Sequence, residues 1–315
     1  MRAIAVGAFR ADPALVEMPK PEPGTGEVRV RIEYAALNPC DWQTVRGAPG
    51  APATARVFPL VVGVDFAGRV DMIGPGDNRF RVGDQVFGRV AGAASGSGTY
   101  CDYVSVPQDS AIALVPPGLP LRAAAALPSA GMAAAQILEG AALRGHETLL
   151  VIGAAGGVGS YLTQLASARD IHVIAVVRGA EHERMAALGA AATIDVTDRP
   201  FDESVRAACP DGVDALVDLV STAPDAFAVH AARVRDGGIA LTTHGVAAGA
   251  ALPPGVTGVD FRLEPTPVLL DVLAAGAAEG VLRVPIDIEL PLEKAPQALD
   301  RNRTGGARGK TVIVL

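Results

Sequence analysis

The run Gly153-Ala-Ala-Gly-Gly-Val-Gly159 has residue types and spacing suited to holding a phosphate. It follows an apolar stretch, Glu147–Ile152, and precedes a helix-like stretch, Val158–Arg169. A strand, a glycine-rich turn and a helix in that order make up the dinucleotide-binding fingerprint. Gly156 and Gly159 match its last two glycines, and Ala154 stands where the first would be. A small residue permits the tight turn, Gly156 lets backbone approach a pyrophosphate, and Gly159 lets the helix pack on the strand. The start of the helix then offers N–H groups and the positive end of its dipole to the phosphates. The candidate cofactor-binding residues here are Ala154, Gly156, Gly157, Val158 and Gly159; the alternative is a plain tight turn.

The next apolar run, Ile171–Val177, ends on Arg178. Sites for NAD usually carry an Asp or Glu at the end of this second strand to hold the ribose 2′-hydroxyl. None is present at that point. Arg178 offers a planar guanidinium suited to a 2′-phosphate, with His182 and Arg184 in support, so NADPH is the expected cofactor. His244 follows the strand expected at Ile239–Thr242, at the end of a parallel strand where ligands bind in doubly wound sheets. An imidazole there could bond a carbonyl or donate a proton; a surface loop histidine is the other reading. Gly245, beside it, and Lys310, near the C-terminus, complete the candidate cofactor-binding set.

Two kinds of architecture must position these groups. The first third has short β-branched and aromatic runs punctuated by Gly and Pro, beginning with Arg29–Leu37, as expected of an antiparallel, barrel-like domain. The rhythm changes near Pro116-Pro117-Gly118. Apolar strands then alternate with helices: Ala192–Val196, Val213–Val220 and Ile239–Thr242 as further strands, Glu181–Leu188, Asp202–Ala208 and Asp225–Ala232 as helices. Such alternation means parallel βαβ units with both sheet faces covered. Val259–Leu263 is expected as a last strand, Pro267–Gly280 as a helix, Lys294–Arg301 as a short helix and Thr311–Leu315 as a closing strand. Ala91–Thr99 reads as an exposed Gly/Ser-rich loop.

The chain resembles the quinone oxidoreductase-like group of zinc-independent medium-chain dehydrogenases/reductases over essentially its whole length. Val62-Gly-Val-Asp-Phe-Ala-Gly68, Val82-Gly-Asp-Gln-Val-Phe-Gly88, Gly98-Thr-Tyr-Cys-Asp-Tyr-Val-Ser-Val-Pro107 and Gly306-Ala-Arg-Gly-Lys-Thr-Val-Ile-Val-Leu carry the resemblance together with the glycine turn. It implies an α/β protein: a GroES-like, β-rich catalytic domain (1–120 and 281–315) and a doubly wound parallel-sheet Rossmann domain binding NADPH (121–280). The closing strand would return to the first domain, and a homodimer would pair through Val259–Leu263. Asn38-Pro-Cys-Asp-Trp42 resembles the family stretch that borders the nicotinamide. This makes Asn38 a candidate for orienting substrate or nicotinamide through its amide, and Asp41 for fixing the loop or relaying a proton.

The resemblance also places the zinc-ligand positions of metal-dependent relatives at Asn38 and Val64-Asp65. Thiolate and imidazole are missing there, whereas a catalytic zinc typically needs three protein ligands. Cys40 lies two positions from the expected ligand and reads as a small packing residue. No Tyr occurs in Arg46-Gly-Ala-Pro-Gly50 to protonate an enolate, so water is the default proton source. Val196 replaces an aromatic residue common near the adenosine phosphate, and Ala133 a threonine common after Gly131-Met132.

Composition limits the remaining classes. The chain has 315 residues, 50% hydrophobic and 19% charged, with a formal net charge of −7. That suits a two-domain globular protein and disfavours nucleic acid as a partner. Cys40, Cys101 and Cys209 are scattered, with no C-x-x-C, which fits a reducing, cytoplasmic setting. The start, MRAIAVGAFRADPAL, has no signal-like apolar stretch. Pro128, Gly131, Gln136, Glu139 and Gly140 interrupt the Ala-rich run Ala123–Ala142, so no membrane span is expected. The function expected is NADPH-dependent hydride transfer to a quinone or α,β-unsaturated carbonyl, small-molecule chemistry without zinc. The alternatives are a biosynthetic enoyl reductase or reductive cyclase acting on a tethered or polycyclic substrate, and a nucleotide-binding subunit without turnover.

Overall fold

The computed structural model describes residues 1–47, 57–90 and 97–315. Most of the loop expected at Ala91–Thr99, and the run beyond Gly47 considered for a tyrosine, lie outside the described residues. The chain forms two compact units, Met1–Met132 with Pro265–Leu315, and Ala133–Glu264. The sequence boundaries at 120/121 and 280/281 differ because the α2 helix (Leu121–Ala126) and the α8 helix (Pro267–Ala278) pack on strands of the first unit.

The first unit is β-rich. β1 (Arg2–Val6), β2 (Ala14–Glu17) and β4 (Leu60–Val61) make a small antiparallel sheet. A larger sheet runs β15-β16-β3-β5-β6-β8, with β7 (Tyr103–Pro107) also pairing β3. Its members are β3 (Glu27–Ala36), β5 (Asp65–Ile73), β6 (Gln85–Arg89), β8 (Ile112–Leu114), β15 (Ile286–Pro291) and β16 (Lys310–Val314). Inward residues such as Val28, Val30, Phe66, Phe80, Val86 and Ile112 are buried as one cluster. β5 crosses β3 through register shifts, and Gly68 sits at one of them. A Cβ there would lie 2.1 Å from the Arg31 carbonyl oxygen, so only glycine lets the strands approach. β16 pairs with β3 (Val312 opposite Ala36), so the C-terminal strand does return to the N-terminal unit.

Several elements of this unit are absent from the sequence reading, among them β1, β2, β15 and α1 (Pro39–Arg46), a helix where a loop was expected. Proline at its first position has φ suited to a helix start and no N–H to leave unpaired. Asp41, the third helical residue, accepts the Asn38 N–H at 2.8 Å, and Gly47 closes the helix at φ 69°.

The second unit is a six-stranded, wholly parallel sheet in the order β11-β10-β9-β12-β13-β14. Its strands are β9 (Thr148–Ile152), β10 (His172–Val177), β11 (Ala192–Asp195), β12 (Val213–Asp218), β13 (Val234–Thr242) and β14 (Thr257–Asp260). The helices α4 (Gly157–Ser167), α5 (His182–Ala187), α6 (Phe201–Ala208) and α7 (Pro224–Ala231) connect them. The order reverses at β9, which is the doubly wound arrangement with its ligand site beyond the carboxyl ends of the strands. β12 ends sooner than the apolar run predicts, because the Asp218 carboxylate accepts the N–H groups of Val220 and Ser221 and turns the chain. β14 lies about two residues earlier than expected. The Ala-rich run is two helices, α2 and α3 (Pro128–Gly140), and among the described residues no helix is long and apolar enough to cross a membrane.

Candidate functional site

The glycine-rich turn expected to hold a nucleotide lies between β9 and α4, beyond the carboxyl end of β9. Gly153 and Ala154 both donate to the Val176 carbonyl at 3.1 Å, which ties the turn to β10. The left-handed residue is Gly153 (φ 82°), one position before the expected Ala154, which is buried with ordinary φ. Gly156 caps α4, and Ser160 donates to its carbonyl. The N–H groups of Gly157, Val158 and Gly159 therefore start the helix with no partner one turn back. A Cβ at Gly159 would lie 2.6 Å from the Ala154 Cα and 2.6 Å from the Gly153 carbonyl oxygen, so helix and turn touch backbone to backbone. At Gly156 the only near atom is the Gly153 oxygen at 3.4 Å, leaving the outer side of the turn open. This cradle fits a dinucleotide pyrophosphate.

Arg178 lies exposed immediately beyond β10. Gly179 (φ 92°) turns the chain there, donating to Asp195 Oδ1 at 2.8 Å. Arg184 reaches back to the turn: Nη2 donates to the Ala155 carbonyl at 2.8 Å and Nη1 to Ser160 Oγ at 3.2 Å. Its Nε pairs with Glu181 at 2.6 Å. Glu181 is a residue that sequence reasoning missed; the signal available was its three-residue spacing from Arg184 on a helix start.

His244 follows β13 as expected and is half-buried, with Gly245 exposed beside it. Its Nε2 lies 3.3 Å from the Leu219 carbonyl beyond β12. A carbonyl only accepts, so this bond requires the proton on Nε2. In the neutral ring Nδ1 is then an acceptor. That tautomer lets a neutral His244 receive a hydrogen bond through Nδ1. Asp218, Ser221 and His230 also meet in this unit, but both oxygens approach the same ring nitrogen, Nδ1, at 2.7 and 3.3 Å. A Ser-His-Asp triad needs the serine on the opposite nitrogen.

In the first unit Asn38, Asp41 and Lys310 come together in a buried polar centre with Asp65 and Ser129. Asn38 Nδ2 donates to Asp65 Oδ2 at 2.8 Å and to the Ala36 carbonyl at 3.3 Å. Its Oδ1 accepts from Lys310 Nζ at 2.6 Å. Lys310, 2% exposed, also donates to the Leu37 carbonyl at 2.8 Å and stands 3.7 Å from Asp65. Ser129 gives Asp65 both its N–H (3.1 Å) and its hydroxyl (2.6 Å), and Arg89 Nε donates to that hydroxyl. Burial pulls the Lys310 ammonium below its ordinary range, against the opposing pull of Asp65 and Asp41. Asn38, expected to orient substrate or nicotinamide through its amide, has both amide hydrogens and its oxygen engaged inside the fold. Lys310, expected at the cofactor, has its ammonium in this same core. Ser129 was not singled out, and Asp65 was named only at a zinc-ligand position of relatives; a lone carboxylate inside the apolar run Val62–Ala67 was the sign of its buried role.

Asp41 is 1% exposed and accepts from Tyr100 Oη at 2.8 Å as well as from the Asn38 N–H. Burial pushes its carboxyl up from 3.8 to about 6, partly offset by those two hydrogen bonds. Between these values the folded chain holds a proton that the unfolded chain has released. Stability contributed by this group is therefore fully present below about pH 4 and is lost as pH rises through 6, by about 3 kcal/mol. Asp41→Asn keeps an acceptor for Tyr100 and should flatten that slope in urea midpoints measured at pH 4, 5 and 6. An unchanged slope would assign the titration to another group. Burial also raises the Cys40 thiol well above its ordinary range, so no thiolate is available beside Asp41.

The centre does not suit zinc. Its donors are an amide, two carboxylates and a hydroxyl, with no thiolate or imidazole, and the Lys310 ammonium already stands against Asn38 Oδ1 and Asp65 Oδ2.

Comparison with known proteins extends this picture. The alcohol dehydrogenase GroES-like domain family matches residues 24–117, and the zinc-binding dehydrogenase family matches residues 188–313. A chloroplast envelope quinone oxidoreductase homolog of Arabidopsis thaliana is 30% identical over 95% of this chain and 92% of its own. The chain belongs to the medium-chain dehydrogenase/reductase family of oxidoreductases, among its quinone oxidoreductase-like members. A 2-methylene-furan-3-one reductase of Solanum lycopersicum, a further relative, is 32% identical over 91% of this chain and 71% of its own. A mycobacterial protein solved in complex with NADPH superposes at TM-score 0.84 with 25% identity, covering 100% of both chains.

Proposed function

We propose that this quinone oxidoreductase-like chain is an NADPH-dependent reductase that delivers hydride to a quinone or α,β-unsaturated carbonyl without zinc. The observation that carries the reading is the turn at Gly153–Gly159, where backbone contacts require glycine at 159 and leave the outer side of 156 open to a pyrophosphate. Ala154, Gly156, Gly157, Val158 and Gly159 hold the pyrophosphate, and Gly245 and His244 border the same strand ends. When bound, NADPH supplies the hydride.

The chain's own residues then bind and polarise. Arg178 supports the choice of NADPH over NADH because an exposed guanidinium can take the 2′-phosphate in a two-pronged contact. Within the first unit, Asn38, Asp41 and Lys310 keep a buried polar centre whose positive charge is an ammonium. The acceptor class follows the relatives, one named for quinones and one for an enone. Water is assigned as the proton source, since Arg46-Gly-Ala-Pro-Gly50 carries no Tyr to protonate an enolate. β14 forms one edge of the six-stranded sheet, and it is assigned as the pairing edge of a homodimer.

Side-by-side oxidation of NADPH and NADH with quinones, enones and enoyl thioesters tests this function. NADPH should be preferred. Arg178→Gln should weaken NADPH binding about tenfold to a hundredfold and leave NADH within about twofold, the loss of one charge-assisted phosphate contact. Equal losses for the two cofactors would remove Arg178 from the 2′-phosphate site.

A further inference from the structure

We propose that Glu181 and Arg184 form an internally neutralised acid–base pair that sets how strongly the site prefers NADPH over NADH. The inference rests on the nicotinamide-cofactor reading above and adds the residues that tune it. A count along the sequence finds no acid at the end of β10, since Val177 is followed by Arg178 and Gly179. The fold supplies one three residues later. Gly179 turns the chain at φ 92°, and the Glu181 N–H donates back to the Gly179 carbonyl at 2.9 Å. Glu181 is thereby carried against Arg184, whose other two arms reach Ala155 and Ser160 of the nucleotide turn. The carboxylate is 15% exposed and the guanidinium 31%, so both are sheltered where they meet.

The electrostatics give the pair opposite effects on the two cofactors. An acid in this region favours a ribose bearing a free 2′-hydroxyl and repels a 2′-phosphate. Glu181 alone would therefore favour NADH. Its pairing with Arg184 at 2.6 Å cancels that charge, leaving the decision to Arg178. Removing the acid frees a second guanidinium for the phosphate. Removing the guanidinium takes away the positive charge that offsets the acid.

The test is titration of the purified full chain with NADPH and with NADH by fluorescence, for wild type, Glu181→Gln, Arg184→Met and Arg184→Lys. Glu181→Gln should raise the NADPH-to-NADH affinity ratio about tenfold. Arg184→Met should lower it about tenfold or more, and Arg184→Lys should recover part of that loss. A pair that merely braces the turn would weaken both cofactors together, so an unchanged ratio in Glu181→Gln and Arg184→Met overturns the inference. Should Arg184→Met fail to fold, the Glu181→Gln ratio decides alone. If wild type binds neither cofactor, the nicotinamide reading falls, and this inference with it.

Discussion

Replacing Lys310 with methionine should destabilise the protein by about 3–5 kcal/mol, because it leaves Asp65 as a buried charge without its counter-ion. Asp65 is fully buried, and Ser129 and Asn38 give it three hydrogen bonds but no charge. The ammonium at 3.7 Å supplies the charge, and Arg89 is separated from the carboxylate by the Ser129 hydroxyl. In thermal unfolding the loss corresponds to a fall on the order of 10 °C. Adding Asp65→Asn to Lys310→Met should restore more than half of it, since the amide keeps an acceptor for Ser129 and carries no charge. A double-mutant cycle reads this coupling directly. If Lys310→Met alone costs under about 1 kcal/mol, the ammonium does not balance Asp65, and the account of a metal-free centre loses its basis.

The second large effect separates two glycines of the same turn. Gly159→Ala would drive a Cβ to 2.6 Å from two backbone atoms of Gly153 and Ala154, neither of which can rotate away. Helix α4 must lift from the turn. Stability should fall by about 1–3 kcal/mol, as for other overpacked sites, and NADPH affinity by a hundredfold or more. Gly156→Ala meets only one oxygen at 3.4 Å, so the free protein should keep its stability within about 0.5 kcal/mol. Its methyl group would stand where the pyrophosphate approaches, and binding should drop at least tenfold. Unfolding curves together with cofactor titration distinguish the two. Equal binding by Gly156→Ala and wild type would move the phosphates off this turn.

The fold was legible wherever a segment carried its own period. Strand–helix alternation from β9 onward gave the parallel sheet, and the apolar closing run gave β16. Helix α1 was not legible, because Pro39, Cys40 and Asp41 read as a turn until the cap geometry of Asn38 and Asp41 is seen. The glycine-rich turn between β9 and α4 was placed from its glycines, yet the left-handed position fell on Gly153, where Gly153 and Ala154 both bond to Val176. The polar centre was only half visible. Asn38, Asp41, Asp65 and Lys310 were each named, but in separate roles, and Ser129 was not; they meet across 27 to 272 residues of chain, and no local pattern encodes such a meeting. Glu181 was overlooked because the acid was sought at the strand end, and a glycine turn delivers it three residues later.

The central claim is hydride transfer from NADPH to an activated acceptor without a metal. Its most direct test is the initial rate of NADPH oxidation by protein stripped with a chelator and checked for metal content, with a quinone and an enone as acceptors. Turnover that persists in the stripped protein, and does not rise when zinc is added back, is the expected result. Turnover that vanishes on stripping and returns with zinc would contradict it.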